Sequence, residues 1–354
     1  MIAAFYEKKG SAREVLRVGD LPDPQPGAGE VRVWIAASAV NPTDTKARSG
    51  KGNPAMPFPR VIPHQDGAGT IDRVGPGVAP ERVGQRVWIY EAQWQRPSGT
   101  AAQLTTVPEE NAVPLPDRVS FEEGACLGIP AITAHACLFS DGDIAGKTVL
   151  VAGGAGAVGY YAVQLARLAG ARVIATVGSS EQQALVRQAG IEDVLDRREA
   201  GLSQRVLRAA GGRGVDRIVE VALGVNLPLD AEVLAPSGVI SSYASDAAPE
   251  PAFPFRPFLL KNATVRFVLV YLVSREAHRA AVRDLSAHLA EGRLRHSIAR
   301  RFPLSEIAAA HEAMEAGHLN GKVIVTLLAG TKTAADGPPE EDRRRRPSPP
   351  GKLV

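Results

Sequence analysis

The chain has 354 residues, of which 45% are hydrophobic and 22% charged, and its 41 basic and 38 acidic side chains leave a formal net charge of +3. That length exceeds one ordinary domain and suits two, and the apolar content is ample for two buried cores, which excludes global disorder. A charge balance so close to neutral gives no broad electrostatic basis for nucleic-acid or membrane binding, and two cysteines, Cys126 and Cys137, are too few for a disulfide framework or a thiolate zinc cluster.

Neither the first residues, Met1-Ile2-Ala3-Ala4-Phe5, nor any later stretch reads as a signal peptide or membrane span. The expectation is a soluble protein of a reducing compartment, the cytoplasm. The first 120 or so residues are dense in Gly and Pro and carry short alternating or apolar runs, such as Glu30 to Ile35, Gly69 to Val74 and Gln85 to Ile89. Strands at this spacing, broken by turn residues, predict a small, mostly β domain.

The texture changes near Phe121. From Gly146 onward, strand-like runs alternate with helical patterns: Thr148–Val151 before a helix through Leu168, and Arg172–Val177 before a helix from about Glu181 to Gln188. Arg217–Val221 and Val239–Ser242 continue the series, and a last strand around Val265 to Val270 would close it. Apolar strands joined by helical crossovers predict a parallel, doubly wound α/β sheet. Two more helices, Glu276 to Glu291 and Leu304 to Ala316, precede a final strand at Gly321 to Leu327. Residues 331–354 are Pro-rich and charged and are expected to form a disordered tail. The run Arg343–Arg346 has two readings, a contact for RNA or an anionic surface and a solvated tail. Glu340-Glu341-Asp342 immediately before it favours the second.

The chemistry is concentrated in Val151-Ala152-Gly153-Gly154-Ala155-Gly156-Ala157-Val158-Gly159, a G-x-G-x-x-G that follows a strand and opens a helix. In this pattern Gly154 permits the tight turn, Gly156 lets the backbone approach a pyrophosphate, and Gly159 allows close helix–strand packing, while helix N-terminal amides hold the phosphates. An NAD site usually has an acid at the end of the second strand. Here Val177-Gly178-Ser179-Ser180 stands there instead. The missing carboxylate removes repulsion of a 2′-phosphate, and Arg197 after the third strand can supply charge, so the expected cofactor is NADPH. Two readings stay open for each partner: Ser180 as phosphate ligand or helix N-cap, and Arg197 as phosphate ligand or surface residue.

The whole of residues 1 to about 328 resembles the zinc-independent quinone oxidoreductases (the zeta-crystallin group) of the medium-chain dehydrogenase/reductase superfamily. The resemblance is carried, in order, by Asn41-Pro42-Thr43-Asp44-Thr45 with Arg48-Ser49-Gly50, and by Gly128-Ile129-Pro130 with Thr133-Ala134. It continues through Gly146–Leu150, Gly154–Gly159, Gln164, Arg167 and Gly321-Lys322. Ala157 departs from the glycine usual at its place. The resemblance implies a GroES-like catalytic domain (residues 1–121, completed by 263–330), a Rossmann domain inserted at 122–262, a cleft between them, and a homodimer. It also implies that no metal is used, because Asn41 stands at the cysteine position of the zinc relatives and Gln65 at that of the ligand histidine, with His64 one place off.

By the same resemblance Asn41 borders the nicotinamide and substrate, but Lys46 replaces the tyrosine of the family block. An ammonium there either contributes to acceptor binding and turnover or is an exposed surface lysine. Asn226, Tyr243, Ala244, Ser245 and Asp246 occupy nucleotide positions, and Phe267, Val268 and Leu269 line the nicotinamide through backbone groups. Thr133 and Lys322 match positions near the cofactor. The expected reaction is NADPH-dependent reduction of a small quinone. Reduction of an alkenal or enone double bond is the second enzymatic reading, and a low-turnover NADPH- or RNA-binding role is the third.

Overall fold

The computed structural model of the chain describes residues 1–317 and 319–327. A ribbon of β1 (Ile2–Phe5) and β2 (Arg17–Asp20), joined through the short α1 (Ala12–Val15), precedes the first large sheet. That sheet contains β3 (Glu30–Val40), β4 (Asp66–Val74), β5 (Arg86–Ile89), β6 (Leu104–Pro108) and β7 (Ala112–Pro114), with α2 (Pro42–Ser49) after β3. Along β3, Val31, Val33 and Ile35 pack with Ile71, Val87, Ile89 and Val107, the period-2 pattern of a strand, while Trp34 faces solvent.

After α3 (Phe121–Ala125) and α4 (Gly128–Phe139), six parallel strands follow: β8 (Thr148–Val151), β9 (Arg172–Val177), β10 (Asp193–Asp196), β11 (Val215–Glu220), β12 (Leu234–Ser242) and β13 (Thr264–Phe267). The connecting helices are α5 (Ala157–Leu168), α6 (Ser180–Gln188), α7 (Leu202–Ala209), α8 (Leu223–Val233) and α9 (Phe255–Leu260). The strand order β10-β9-β8-β11-β12-β13 is doubly wound, with the reversal beside β8. Both faces are buried. Val149, Val151, Val173, Ala175 and Val219 join the core beneath α4 and α5, whereas Leu150, Ile174, Ile218 and Ile240 face Val206, Leu223 and Phe258.

The chain then forms α10 (Arg275–Ala290), β14 (Ile298–Pro303), α11 (Ile307–Ala316) and β15 (Lys322–Thr326). β14 and β15 return to the first sheet, β15 running antiparallel to β3.

The observed crossings correct the expected boundaries. Residues 264–267 pair with Val239–Ser242 in the parallel sheet, so the return falls after Phe267 and not at 262. The strand also stops there, three residues short of Val270, because the chain leaves the sheet for a 3₁₀ turn over Val270–Leu272. At the other crossing, residue 121 opens α3, whose Gly124 is pressed against Ala68 and Leu115, so this helix belongs with the β-rich sheet. No helix of the described residues is long and apolar enough to cross a membrane. The expected tail, 331–354, and its arginine run lie outside the described residues.

Candidate active site

A cleft of about 680 Å³ opens beyond the carboxyl ends of the parallel strands, where the two sheets meet. One wall is the turn between β8 and α5, to which Gly153, Ala155, Gly156, Ala157 and Val158 contribute. Gly156 is the N-cap of α5, so the first-turn amides after it have no partner within the helix and face the cleft with the positive end of the helix dipole.

The glycines divide the work differently from the sequence expectation. The left-handed residue of the turn is Gly153, with φ +68, and not Gly154. Gly154 is required for packing instead: a Cβ there would sit 2.9 Å from Ala175 Cβ on β9. A Cβ on Gly159 would lie 2.2 Å from the Gly153 carbonyl oxygen, while one on Gly156 would meet nothing closer than 3.3 Å. Gly154 and Gly159 therefore shape the turn from behind, outside the cleft lining, and Gly156 keeps its front open.

At the end of β9, Gly178 and Arg197 line the cleft, with the Arg197 guanidinium 3.1 Å from where a Gly178 Cβ would be. Arg197 is exposed and has no carboxylate partner among the described residues, unlike Arg198, which is bound by Asp196. Ser179, rather than Ser180, caps α6 by accepting from Gln182 N–H (3.3 Å), and the Ser180 hydroxyl turns to Glu181. Neither serine lines the cleft. Gln182, which the sequence reading missed, does. It accepts from Gly178 N–H (2.7 Å) and donates to Asn320 Oδ1 (2.9 Å), tying the parallel sheet to the segment before β15.

Further along, Asn226, Tyr243, Ala244, Asp246, Val268 and Leu269 line the cleft. Asn226 lies inside α8 and donates to Glu220 Oε1 (3.0 Å). Two expected contacts fall elsewhere. Ser245 folds back on its own loop, accepting from Gly224 N–H (2.9 Å) and donating to the Ala248 carbonyl (2.6 Å). Phe267, expected to contribute backbone groups, is not part of the cleft lining, which Val268 and Leu269 supply, and its side chain is 75% exposed.

The opposite wall is built by α2 and α4. Asn41 caps α2, where its N–H donates to Asp44 Oδ2 (2.7 Å). Its side chain is committed at both ends: the amide donates to Asp66 Oδ2 (2.8 Å) and the carbonyl accepts from Lys322 Nζ (2.6 Å). Lys322 is buried behind Asn41, outside the cleft lining, 3.4 Å from Asp66 Oδ2, so it supports Asn41 and does not reach the space itself. Asp66 also accepts from Ile129 N–H (2.8 Å) at the start of α4. Burial raises the pKa values of both buried carboxyls, Asp44 to about 8, with Lys322 opposing the shift. Asp66 carried no sequence signal, because its partners are 25 and 256 residues away.

Thr133 lines the cleft on α4 and donates to the Ile129 carbonyl (2.6 Å). Lys46 reaches across the cleft, and its ammonium lies 2.7 Å from both carboxylate oxygens of Asp246. The sequence assigned these two residues separate roles. The fold pairs them, so Lys46 is neither an unpaired ammonium nor a plain surface lysine. Cys126 and Cys137 are fully buried, and burial pushes each thiol up to about 12, which leaves them inert small hydrophobes.

The donor set does not fit a zinc ion. Position 41 offers an amide already used by Asp66 and the Lys322 ammonium. Gln65 is bound to Gln93, and His64 is buried between Ser38 Oγ (2.8 Å) and His311 Nε2 (2.9 Å). No group of three His, Cys, Asp or Glu suited to a metal occurs among the described residues.

Residues 27–117 match the alcohol dehydrogenase GroES-like domain, and residues 157–287 match a domain described as zinc-binding dehydrogenase. The quinone oxidoreductase of Rattus norvegicus is 32% identical over 319 residues, which is 89% of this chain and 94% of that protein. The chain belongs to the quinone oxidoreductase family of the medium-chain dehydrogenase/reductase superfamily. Two solved structures superpose over 92% of the chain. A mycobacterial protein complexed with NADPH has a TM-score of 0.80 at 28% identity, with all (100%) of its chain covered. The quinone oxidoreductase of Pseudomonas syringae has a TM-score of 0.80 at 27% identity, with 99% of its chain covered. As a medium-chain dehydrogenase/reductase the chain is an oxidoreductase.

Proposed function

We propose that this oxidoreductase uses NADPH to reduce quinones, by hydride or electron transfer and with no metal. The observation that carries the reading is the cleft itself: the glycine turn opening α5 and Arg197, which has no carboxylate partner among the described residues, stand on one wall, and Asn41, Thr133 and Lys46 on the other. The names of the relatives support the acceptor, and the NADPH complex of the mycobacterial neighbour supports the cofactor. When bound, NADPH supplies a hydride from its nicotinamide ring. The residues present fit it. The turn at Gly153–Val158 would hold the pyrophosphate, and Gly178 with Arg197 the 2′-phosphate. Tyr243, Ala244, Asp246, Val268 and Leu269 would flank the nicotinamide. Gly178, Ser179 and Ser180, directly after β9, offer no carboxylate that would repel a 2′-phosphate.

The deciding experiment titrates NADPH and NADH into the purified protein, then follows cofactor oxidation by a small quinone and by a simple enone, with and without chelator. Tighter NADPH binding and chelator-resistant oxidation by the quinone are expected. Faster turnover with the enone would move the assignment to double-bond reduction, and binding without turnover would favour a nucleotide-binding role. Arg197→Ala should weaken NADPH about 10- to 100-fold, as expected for loss of a charge-assisted phosphate contact, and leave NADH within about twofold. Equal losses for both nucleotides would remove Arg197 from the phosphate site.

The implied homodimer has a surface suited to it. Among the described residues β13 has an unpaired edge, and Phe255, Leu259, Leu260, Phe267 and Leu272 are all exposed on or beside it. An apolar edge strand favours pairing with an identical one from a second copy. Phe267→Asp with Leu272→Asp should convert a dimer to a monomer in light scattering. A wild-type protein that is already monomeric would overturn this arrangement.

A further inference from the structure

Tyr271 sits in the 3₁₀ turn after β13, anchored by the buried Val270 beside it. Its ring stacks on Trp94, with centroids 4.4 Å apart and planes inclined by 12°. Its hydroxyl lies 3.1 Å from Thr43 Oγ1 in the first turn of α2, and both residues line the cleft. The phenol is thus held in place by two elements that are remote in sequence.

The neighbouring polar side chains on this wall already have protein partners. Asn41 is engaged at both ends, the Thr133 proton goes to the Ile129 carbonyl, and the Lys46 ammonium is paired with Asp246. Thr43 and Lys46 are three residues apart on α2 and both line the cleft, so Tyr271 meets this wall one helical turn from Lys46. A hydroxyl both donates and accepts. If Thr43 donates to Tyr271 Oη, the phenolic proton remains to be donated into the cleft, and the chain of two hydroxyls polarises it.

We infer that the Tyr271 hydroxyl donates the hydrogen bond that holds the carbonyl oxygen of the acceptor. This rests on the oxidoreductase reading above. As charge builds on that oxygen during reduction, a fixed donor at this point stabilises it without moving. Burial holds the phenol well above its ordinary pKa, so it acts as a donor throughout and is not consumed as an acid.

Tyr271→Phe keeps the ring and its stack on Trp94 while removing the oxygen. Its kcat/KM for a small quinone should fall about 10- to 100-fold, with NADPH affinity within about twofold and the deficit constant between about pH 6 and about pH 9. Binding gives a second readout. Resorcinol, an unreactive dihydroxybenzene, should change the tryptophan emission of the NADPH-loaded protein through Trp94, a signal abolished by Trp94→Phe. Its affinity should drop about tenfold in Tyr271→Phe. Wild-type kinetics in Tyr271→Phe would overturn the inference and leave the quinone reading intact. A wild-type protein that reduces no acceptor would instead count against the quinone reading. In that case resorcinol binding equally to wild type and Tyr271→Phe would separately reject Tyr271.

Discussion

Lys322→Met is expected to destabilise the protein by about 3–5 kcal/mol in urea unfolding, the cost of breaking a buried ion pair from one side. Lys322 is 2% exposed and lies within reach of Asp66, which is fully buried, and of the Asn41 carbonyl. Without the ammonium, Asp66 is left as a buried carboxylate, and its pKa, already raised by burial, must climb further. The charge is then removed by protonation, and stability is lost progressively as the pH rises above the range of an ordinary aspartate. Asp66→Asn in the Lys322→Met background should recover part of the loss, because the two changes share one interaction. Additive losses from the two substitutions would mean that Lys322 serves only as packing. Activity should fall with Lys322→Met even in the folded fraction, since Asn41 loses one of the two partners that orient it beside the cleft.

The second large effect separates two glycines of one turn. Gly159→Ala puts a methyl 2.2 Å from the Gly153 carbonyl oxygen and 3.0 Å from Gly154 Cα, so backbone must move. Stability should drop by about 1–3 kcal/mol, and NADPH affinity should fall together with it. Gly156→Ala has only a 3.3 Å contact, so the fold should tolerate it. Its methyl instead occupies the open front of the turn, and NADPH affinity should fall about 100-fold, equivalent to about 2.7 kcal/mol, with stability nearly unchanged. Fluorescence titration beside thermal unfolding measures both. Unaltered NADPH binding in Gly156→Ala would remove this turn from the phosphate site.

The contrast between these glycines shows how far the sequence reached. The spacing of Gly154, Gly156 and Gly159 after an apolar run located the turn, because strand, turn and helix N-terminus are contiguous and their physics is local. Which glycine did what was not local. Gly153 takes the left-handed conformation, and the constraint on Gly154 comes from Ala175 on the next strand. The same limit explains the serines. A cap one residue earlier than one of the two expected readings, at Ser179, turns its hydroxyl to its own helix and leaves Gly178, Gln182 and Arg197 to face the cleft.

By itself the sequence determined the doubly wound sheet, the β-rich partner and the position of the nucleotide turn, since each follows from periodicity or from glycines adjacent in the chain. Only the tertiary structure decided the far wall of the cleft. Asp66 meets Lys322 across 256 residues, Lys46 meets Asp246 across 200, and Tyr271 meets Thr43 across 228. Local propensity carries no trace of such pairs: whether a charge or hydroxyl is committed or available depends on its partner, and the partner arrives only when the chain returns from the parallel sheet to the first one.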